Sequence, residues 1–140
     1  MIEVRRLTDT ELTQLFNEAP DEETRNTRKY LKRVEMSVVN YFNKVALESC
    51  GIVIDDRPIY VAFLTGKPYE LWTFVNKSVK EQFTLFKVSK SIVYGWLNKF
   101  NPIYATMEST FNKNIEWTKR IGFKENYNRN GIIKLILERG

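Results

Sequence analysis

The feature that most constrains the fold is the alternation of strand and helix patterns in the second half of the chain. "GIVIDDRPIYVAFLTG" contains two apolar runs joined by a turn at Asp55–Pro58, which is the pattern of a β-hairpin. "YELWTFVN" predicts a third strand, and "FTLFKVSKSIVYGWLNKF" predicts a helix because its apolar residues recur at three- and four-residue spacing. "PIYATMES" is again a strand. "NKNIEWTKRIGF" is a short helix that begins with amide side chains suited to capping and stops at Gly122, and "GIIKLILERG" is a closing strand.

The first half of the chain predicts one strand followed by helices. "MIEVRRL" reads as a short strand, and Thr8 with Glu11 three residues later forms the capping-box pattern that begins a helix. Pro20 should end this helix. The segment 21–49 is acidic at its front, basic later and apolar along one stripe, so it predicts one long helix or two helices broken near Asn40.

This order of elements predicts an α/β fold. The hairpin requires antiparallel pairing, and strands that alternate with helices favour parallel pairing in the second half. We therefore expect a mixed central sheet with helices on both faces. The sequence has no repeat, low-complexity tract or linker, so residues 1–140 should form a single domain.

The absence of histidine limits the chemistry that the chain can perform. Without histidine and with one cysteine, Cys50, neither a Ser-His-Asp nor a Cys-His site can form, and we expect no metal site. Acid-base chemistry must use carboxylates, tyrosines, lysines or water. Glu70 and Glu108 on predicted strands are candidate bases, although such residues are more often ordinary polar residues at strand ends. The sequence leaves the catalytic residues unknown.

The net charge of +5 is concentrated in one segment. Residues 76–100 contain five lysines and one glutamate, which suits a phosphate-bearing cofactor, an acidic protein or simply a solvated helix face. We do not expect nucleic acid as a partner, because dedicated nucleic-acid binders are more basic and place arginine near aromatic residues. No apolar run is long enough to span a membrane and the N-terminus does not resemble a signal peptide, so we expect a soluble protein.

The order of elements and the ending "KRIGF" resemble the GNAT superfamily of acetyl-CoA-dependent N-acyltransferases. The resemblance covers nearly the whole chain in topology and is strongest in sequence from Gly51 to Phe123. It implies a GNAT-like fold, and it implies that the strand "LWTFV" and the helix after it form the half that binds the cofactor in this family.

The chemical motifs of that family are altered in this sequence. Lys80 matches the basic residue of the family's phosphate loop, but the glycine positions fall on Glu81, Phe83 and Leu85. In many members of the family a tyrosine four residues before the Gly-Phe pair acts as the general acid. The corresponding residue here is Thr118, whose hydroxyl is a poor proton donor. The phosphate loop and the general acid are therefore not recognisable.

A narrower resemblance is to a bacteriophage subset of the fold, which includes a small internal virion protein of short-tailed phages. It implies a non-catalytic protein without a cofactor that acts through contacts with other virion proteins during assembly. Its location would be the host bacterial cytoplasm, with packaging in the virion as an option. A host-directed effector that binds a host protein is a further alternative.

The enzymatic alternative is an acetyl-CoA-dependent N-acyltransferase with a divergent cofactor loop. In that case lysines such as Lys80 and Lys87 would hold the phosphates as point charges. The backbone groups of Phe74, Val75 and Asn76 would pair with the pantetheine arm if the strand "LWTFV" splays from the next one. Whether the protein is an enzyme is left open by the sequence, and the altered motifs favour the non-catalytic interpretation.

Overall fold

Seven strands and four helices make up the described part of the chain, which comprises residues 2–18, 37–76 and 82–140 of a computed structural model. In chain order the elements are β1 (Ile2–Arg5), α1 (Asp9–Glu18), α2 (Val38–Val45), β2 (Ala46–Ile54), β3 (Arg57–Thr65), β4 (Glu70–Val75), α3 (Gln82–Leu97), β5 (Ile103–Glu108), α4 (Asn112–Ile121), β6 (Lys124–Arg129) and β7 (Ile132–Leu137).

All seven strands belong to one mixed sheet with the order β1-β2-β3-β4-β5-β7-β6. Neighbouring strands are antiparallel except for β4 and β5, which are parallel. The predicted hairpin is confirmed: β2 and β3 are joined by Asp55 and Asp56, both with positive φ (50° and 65°). Positive φ at both central residues is the geometry of the tight turns that match the twist of antiparallel strands.

Helices cover both faces of the sheet, as predicted. Strand side chains alternate between the faces, so neighbouring residues of β2 and β3 enter different cores. One core lies under α1 and α2 and includes Phe16, Phe42 and Phe63; the Phe42 and Phe63 rings stack with centroids 4.2 Å apart. Two further clusters, which include Tyr60 and Leu85 in one and residues of α3, α4, β5 and β7 in the other, fill the opposite face.

The junction between β1 and α1 confirms the predicted capping box. The Thr8 N–H donates to the Glu11 carboxylate at 2.9 Å, and the Glu11 N–H donates to the Thr8 hydroxyl at 3.2 Å. The Arg5 guanidinium donates two hydrogen bonds of 2.8 Å to the same carboxylate. Hydrogen bonds from the Arg5 guanidinium lower the pKa of Glu11 to about 2, against the opposing effect of burial.

Three details of the predicted order are wrong. The segment predicted as helix up to residue 49 becomes strand β2 from Ala46, because it pairs with the end of β3, where Ala46 lies opposite Thr65. Two strands, β6 and β7, follow α4 where one was expected. The first of them, "KENYNR", is a polar edge strand without an alternating apolar pattern. As a result β5 pairs antiparallel with β7, and the expected parallel pairing is confined to β4 and β5.

The helix ends differ slightly from expectation. Helix α3 ends at Leu97 instead of Phe100. The N-cap of α4 is Phe111, which makes no side-chain capping bond, and Asn112 is the first helical residue. The predicted helix residues 21–36 lie outside the described ranges. No helix among the described residues is long and apolar enough to cross a membrane.

Candidate functional site

The described strands β4 and β5 pair at one position, Glu70 with Tyr104. There the Tyr104 N–H donates to the Tyr69 carbonyl at 2.8 Å. Beyond this point the two parallel strands share no register, whereas β5 remains paired with β7 along its length. The sheet therefore opens between the carboxyl-terminal parts of β4 and β5, and we call this opening the wedge.

The edge of β4 that lines the wedge presents backbone groups of Thr73 and Val75. In an antiparallel pair, alternate residues direct N–H and C=O toward the partner strand. The Asn76 N–H donates to the Ile59 carbonyl of β3 at 2.9 Å, and Phe74 lies opposite Val61. Even-numbered residues of β4 thus face β3, so Thr73 and Val75 face the wedge. An extended ligand with amide groups could pair with this edge as an added strand.

Two of the three strand residues predicted for cofactor binding have structural roles. The Phe74 ring is buried in the core under α1 and α2. Asn76 is buried, and its side-chain amide donates to the Glu18 carboxylate at the end of α1. Glu18 also forms an ion pair with Arg57 at 3.2 Å. These contacts tie α1 and β3 to the carboxyl end of β4, and they leave Val75 as the predicted residue whose backbone faces the wedge.

The two lysines predicted to bind the cofactor are not brought to the wedge by the described structure. Lys80 lies outside the described residues. Lys87 is exposed on α3 and lines an open groove of about 540 Å³ with Val4 and Cys50 of the β1–β2 edge. No residue of α4 lines this groove. The groove therefore lies on the flank of α3 away from the wedge.

Apolar side chains pack on the face of the sheet that α3 and α4 cover, beside the wedge. Trp117 of α4 and Leu71 of β4 both pack against the two clusters of that face. One cluster has residues of β2, β3 and α3, and the other has residues of β3, α3, β5, α4 and β7. The Trp117 ring meets Phe86 of α3 edge-on, with centroids 5.4 Å apart. The wall of the wedge on this face is thus apolar, which suits the methylene segments of an extended ligand.

The opposite face carries a polar cluster beside the point where β4 and β5 pair. Glu70 has the same orientation as Trp72 and Phe74 because strand side chains alternate with period two. Thr106 makes a side-chain hydrogen bond to Glu70, and the Lys134 ammonium lies 4.6 Å from the centre of the Tyr104 ring. Burial raises the pKa of Glu70, and this effect exceeds the opposing influence of Lys134 and Thr106. A carboxyl with a raised pKa is better matched to proton transfer near neutral pH.

Thr118 is not available as a proton donor. It is buried, and its hydroxyl donates to the Asn114 carbonyl at 2.7 Å within α4. Among the described residues no cluster of carboxylates and cysteine could hold a metal ion.

The residues that sequence analysis missed are Thr73 and the partners of Glu70. Thr73 could have been found from the same alternation that makes Phe74 a core residue, because its backbone must face the other way. Thr106 and Lys134 could not have been found from the sequence. Their position beside Glu70 depends on the antiparallel register of β5 and β7, which places the two residues opposite each other.

The wedge has the features that an extended ligand with amide groups requires. The β4 edge offers backbone donors and acceptors at alternating positions, and the neighbouring apolar side chains offer apolar contact. The residues nearest to such a ligand are Thr73, Val75, Leu71 and Trp117.

Comparison with known proteins identifies the fold. No protein-family model matches the sequence, and no curated protein matches it. Solved structures do match: the PaiA N-acetyltransferase from Thermoplasma acidophilum in complex with coenzyme A has a TM-score of 0.71 at 14% identity, covering 99% of each chain.

Two further structures agree. The GNAT domain of S. lividans PAT gives a TM-score of 0.69 at 13% identity, covering 99% of this chain and 89% of that one. The ribosomal-protein-S18-alanine N-acetyltransferase from Escherichia coli gives 0.68 at 10% identity, covering 99% and 94%. Identities this low establish architecture and leave substrates open. The chain therefore has the α/β fold of the GNAT acetyltransferases.

Proposed function

We propose that the protein is an N-acyltransferase that uses acetyl-CoA as acyl donor and an amine as acceptor. The observation that carries this proposal is the parting of β4 and β5 after a single paired position, which leaves the Thr73 and Val75 backbone groups facing the wedge. The fold adds support, because the solved structures that match it include acetyltransferases, one of them in complex with coenzyme A.

The residues of the wedge would bind and orient the donor. Backbone groups of Thr73 and Val75 would pair with the pantetheine amides, while Leu71 and Trp117 would exclude water from the arm. Bound acetyl-CoA would supply the acyl group as a thioester whose carbon is attacked by the amine, so that a C–N bond forms and the C–S bond breaks. Holding the two reactants in one orientation accounts for much of the rate enhancement in such a transfer.

Glu70 is the residue best placed to accept the proton that the amine loses. It lies on β4 next to the vertex of the wedge, and burial raises the pKa of its carboxyl. Because Thr118 is occupied by the Asn114 carbonyl, we assign no protein group to protonate the departing thiolate. A thiol has an ordinary pKa of about 8.5, so water can supply that proton at neutral pH.

The test is an acetylation assay with purified protein, acetyl-CoA and a panel of amines and amino-terminal peptides, in which released thiol is measured. Glu70→Gln should lower kcat/KM by about 10²–10⁴-fold and remove the loss of activity that accompanies protonation of Glu70 at low pH. Glu125→Gln is the control, because it removes an exposed carboxylate from β6, at the edge of the sheet away from β4. Equal losses in both variants would exclude Glu70 as the base.

A second candidate function is protein binding without catalysis. It is favoured by the Thr118 hydroxyl, which already donates to the Asn114 carbonyl. It is also favoured by Leu85, a buried residue of α3 at a position where the GNAT family has glycine. Under this proposal the protein contacts other bacteriophage virion proteins, or a host protein, in the host cytoplasm or the particle. Mass spectrometry of purified particles tests it: presence at a fixed copy number supports a virion component, and absence favours the enzyme or a host-directed effector.

A further inference from the structure

The wedge accounts for the pantetheine arm of a CoA thioester but not for its phosphate groups. The sequence segment expected to hold them has Glu81 and Phe83 where glycines allow close backbone approach, and Lys87 lines the groove beside β1. A ligand with several negative charges favours more than one cationic partner, so described cations near the α3–α4 cleft are candidates beside Lys80.

Two cations lie along this cleft, each above an aromatic ring. The Arg120 guanidinium of α4 is 5.1 Å from the centre of the Phe86 ring of α3. One turn further along α3, the Lys90 ammonium is 5.8 Å from the centre of the Tyr94 ring. Phe86, Lys90 and Tyr94 recur at four-residue spacing and therefore form one stripe on α3. We call Arg120, Phe86, Lys90 and Tyr94 the cation–aromatic stripe.

The stripe is anchored to α4 at both ends. Phe86 contacts Trp117, which lines the wedge, and the Tyr94 hydroxyl donates to the Ile121 carbonyl at 2.8 Å. Arg120 and Lys90 are both exposed, and among the described residues neither has a carboxylate within ion-pair distance. Contact with an aromatic face restricts a cation without neutralising it, so both charges are pre-positioned for an anion.

We propose that the cation–aromatic stripe binds the phosphate groups of the CoA donor, with Arg120 as the principal contact and Lys90 as the second. A guanidinium can grip a phosphate with two parallel hydrogen bonds, and a lysine ammonium adds a point charge. Phe86 lies four residues into α3, about 6 Å along the helix from Gln82, and it contacts Trp117, so the stripe begins within the first turns of α3. This inference rests on the proposed donor site.

The experiment is calorimetric titration of the full chain with CoA and with 3′-dephospho-CoA at two salt concentrations. Arg120→Gln and Lys90→Gln should each raise the Kd for CoA by about tenfold and reduce its salt dependence. Lys87→Gln is the matched control, since it removes one lysine charge from the same helix outside the stripe, and its Kd should stay within about twofold of the wild-type value. A loss confined to CoA, and absent with 3′-dephospho-CoA, would assign the stripe to the 3′-phosphate. Equal losses with both ligands would assign it to the pyrophosphate.

The outcomes separate this inference from the proposed function. If the wild-type protein binds CoA while Arg120→Gln and Lys90→Gln bind it equally well, the stripe is excluded and the donor site stands. If Lys87→Gln alone weakens binding, the phosphates lie on the other flank of α3. If the wild-type protein does not bind CoA at millimolar concentration, the donor site fails together with the stripe.

Discussion

At Gly122 the backbone has a φ of 133° and ends helix α4 with its N–H donating to the Lys119 carbonyl at 3.0 Å. A side chain there would meet a second obstacle, because a Cβ atom would lie 2.3 Å from the Tyr94 hydroxyl oxygen. That hydroxyl is held by the Ile121 carbonyl. The Gly-Phe ending of the helix is thus explained by backbone conformation and by the tyrosine that joins α3 to α4.

Gly122→Ala should lower the free energy of unfolding by about 1–3 kcal/mol, because alanine is strained at this φ and collides with Tyr94. Gly95→Ala is the contrasting change: no neighbouring atom lies within 4 Å of the position that its methyl group would occupy, and alanine is favoured over glycine inside a helix. It should raise stability by about 0.5–1 kcal/mol. Urea denaturation of both variants tests the pair, and equal stabilities would contradict this explanation.

Single residues were predicted well where local geometry decides their role. Gly122 as a helix stop and the Thr8–Glu11 capping box follow from sequence spacing alone, and the structure confirms both. The environment of Glu70 could not be predicted, because its hydrogen bond comes from Thr106 on β5, a strand that is adjacent in the sheet but distant in sequence. The groove-side position of Lys87 likewise depends on where β1 lies relative to α3.

At the scale of elements, Glu11 joins β1 to α1 through Arg5. The native pKa of Glu11 is about 2 against an ordinary value of 4.5, so the ionised carboxylate stabilises the fold at pH above about 4.5. This contribution is lost as the pH falls through about 2. Glu11→Gln should therefore lower the melting temperature at pH 7, and the difference from wild type should shrink as the pH falls from about 4.5 to 2.

Thermal unfolding monitored by circular dichroism at several pH values measures this difference. Glu125→Gln, which changes an exposed carboxylate on β6, serves as the control and should leave the melting temperature nearly unchanged. A difference between Glu11→Gln and wild type that stays constant down to pH 2 would show that the Arg5 contact does not lower the pKa of Glu11.

The orientation of the β4 backbone makes a second prediction at this scale. Val75→Pro removes an N–H that faces the wedge, so the protein should fold, and its affinity for acetyl-CoA should fall by about tenfold. Phe74→Pro removes an N–H that faces β3 and deletes a core ring, so it should prevent folding. Circular dichroism and calorimetry distinguish the two. Failure of Val75→Pro to fold would mean that its N–H is needed within the sheet.

Elements with strong apolar patterns were predicted correctly, and weakly patterned ones were not. The hairpin stands out in the sequence because its strands bury residues on both faces of the sheet, and β4, α3, β5 and α4 stand out because at least one side of each is buried. Strand β6 was missed because it is a polar edge strand that depends on pairing with β7. The start of β2 at Ala46 was assigned to a helix, and its pairing with β3 overrides the helical pattern.

At the scale of the whole molecule, the sequence predicts an α/β fold with a mixed sheet covered on both faces, and the structure has that fold. The wedge is a different kind of feature. It arises because β4 stays paired with β3 along its length while β5 stays paired with β7. The two halves of the sheet therefore diverge after Glu70 and Tyr104. No local pattern encodes this divergence, so the wedge can be located only once both halves are assembled.

The altered phosphate loop and the threonine at the position of the family's general acid favour, from sequence alone, a protein without a cofactor. The structure adds the wedge, where backbone groups of β4 face an opening in the sheet although the recognisable side chains of the family are absent. Backbone groups can bind an extended ligand whatever side chains accompany them. An active acyltransferase is therefore compatible with a sequence in which the usual motifs are missing.

Calorimetric titration of the purified wild-type protein with acetyl-CoA tests the central claim most directly. The wedge predicts one binding site per chain with a Kd in the micromolar range, and weaker binding at higher salt because phosphate charges contribute. No measurable binding at millimolar acetyl-CoA would contradict the donor site and would leave protein binding as the function of this fold.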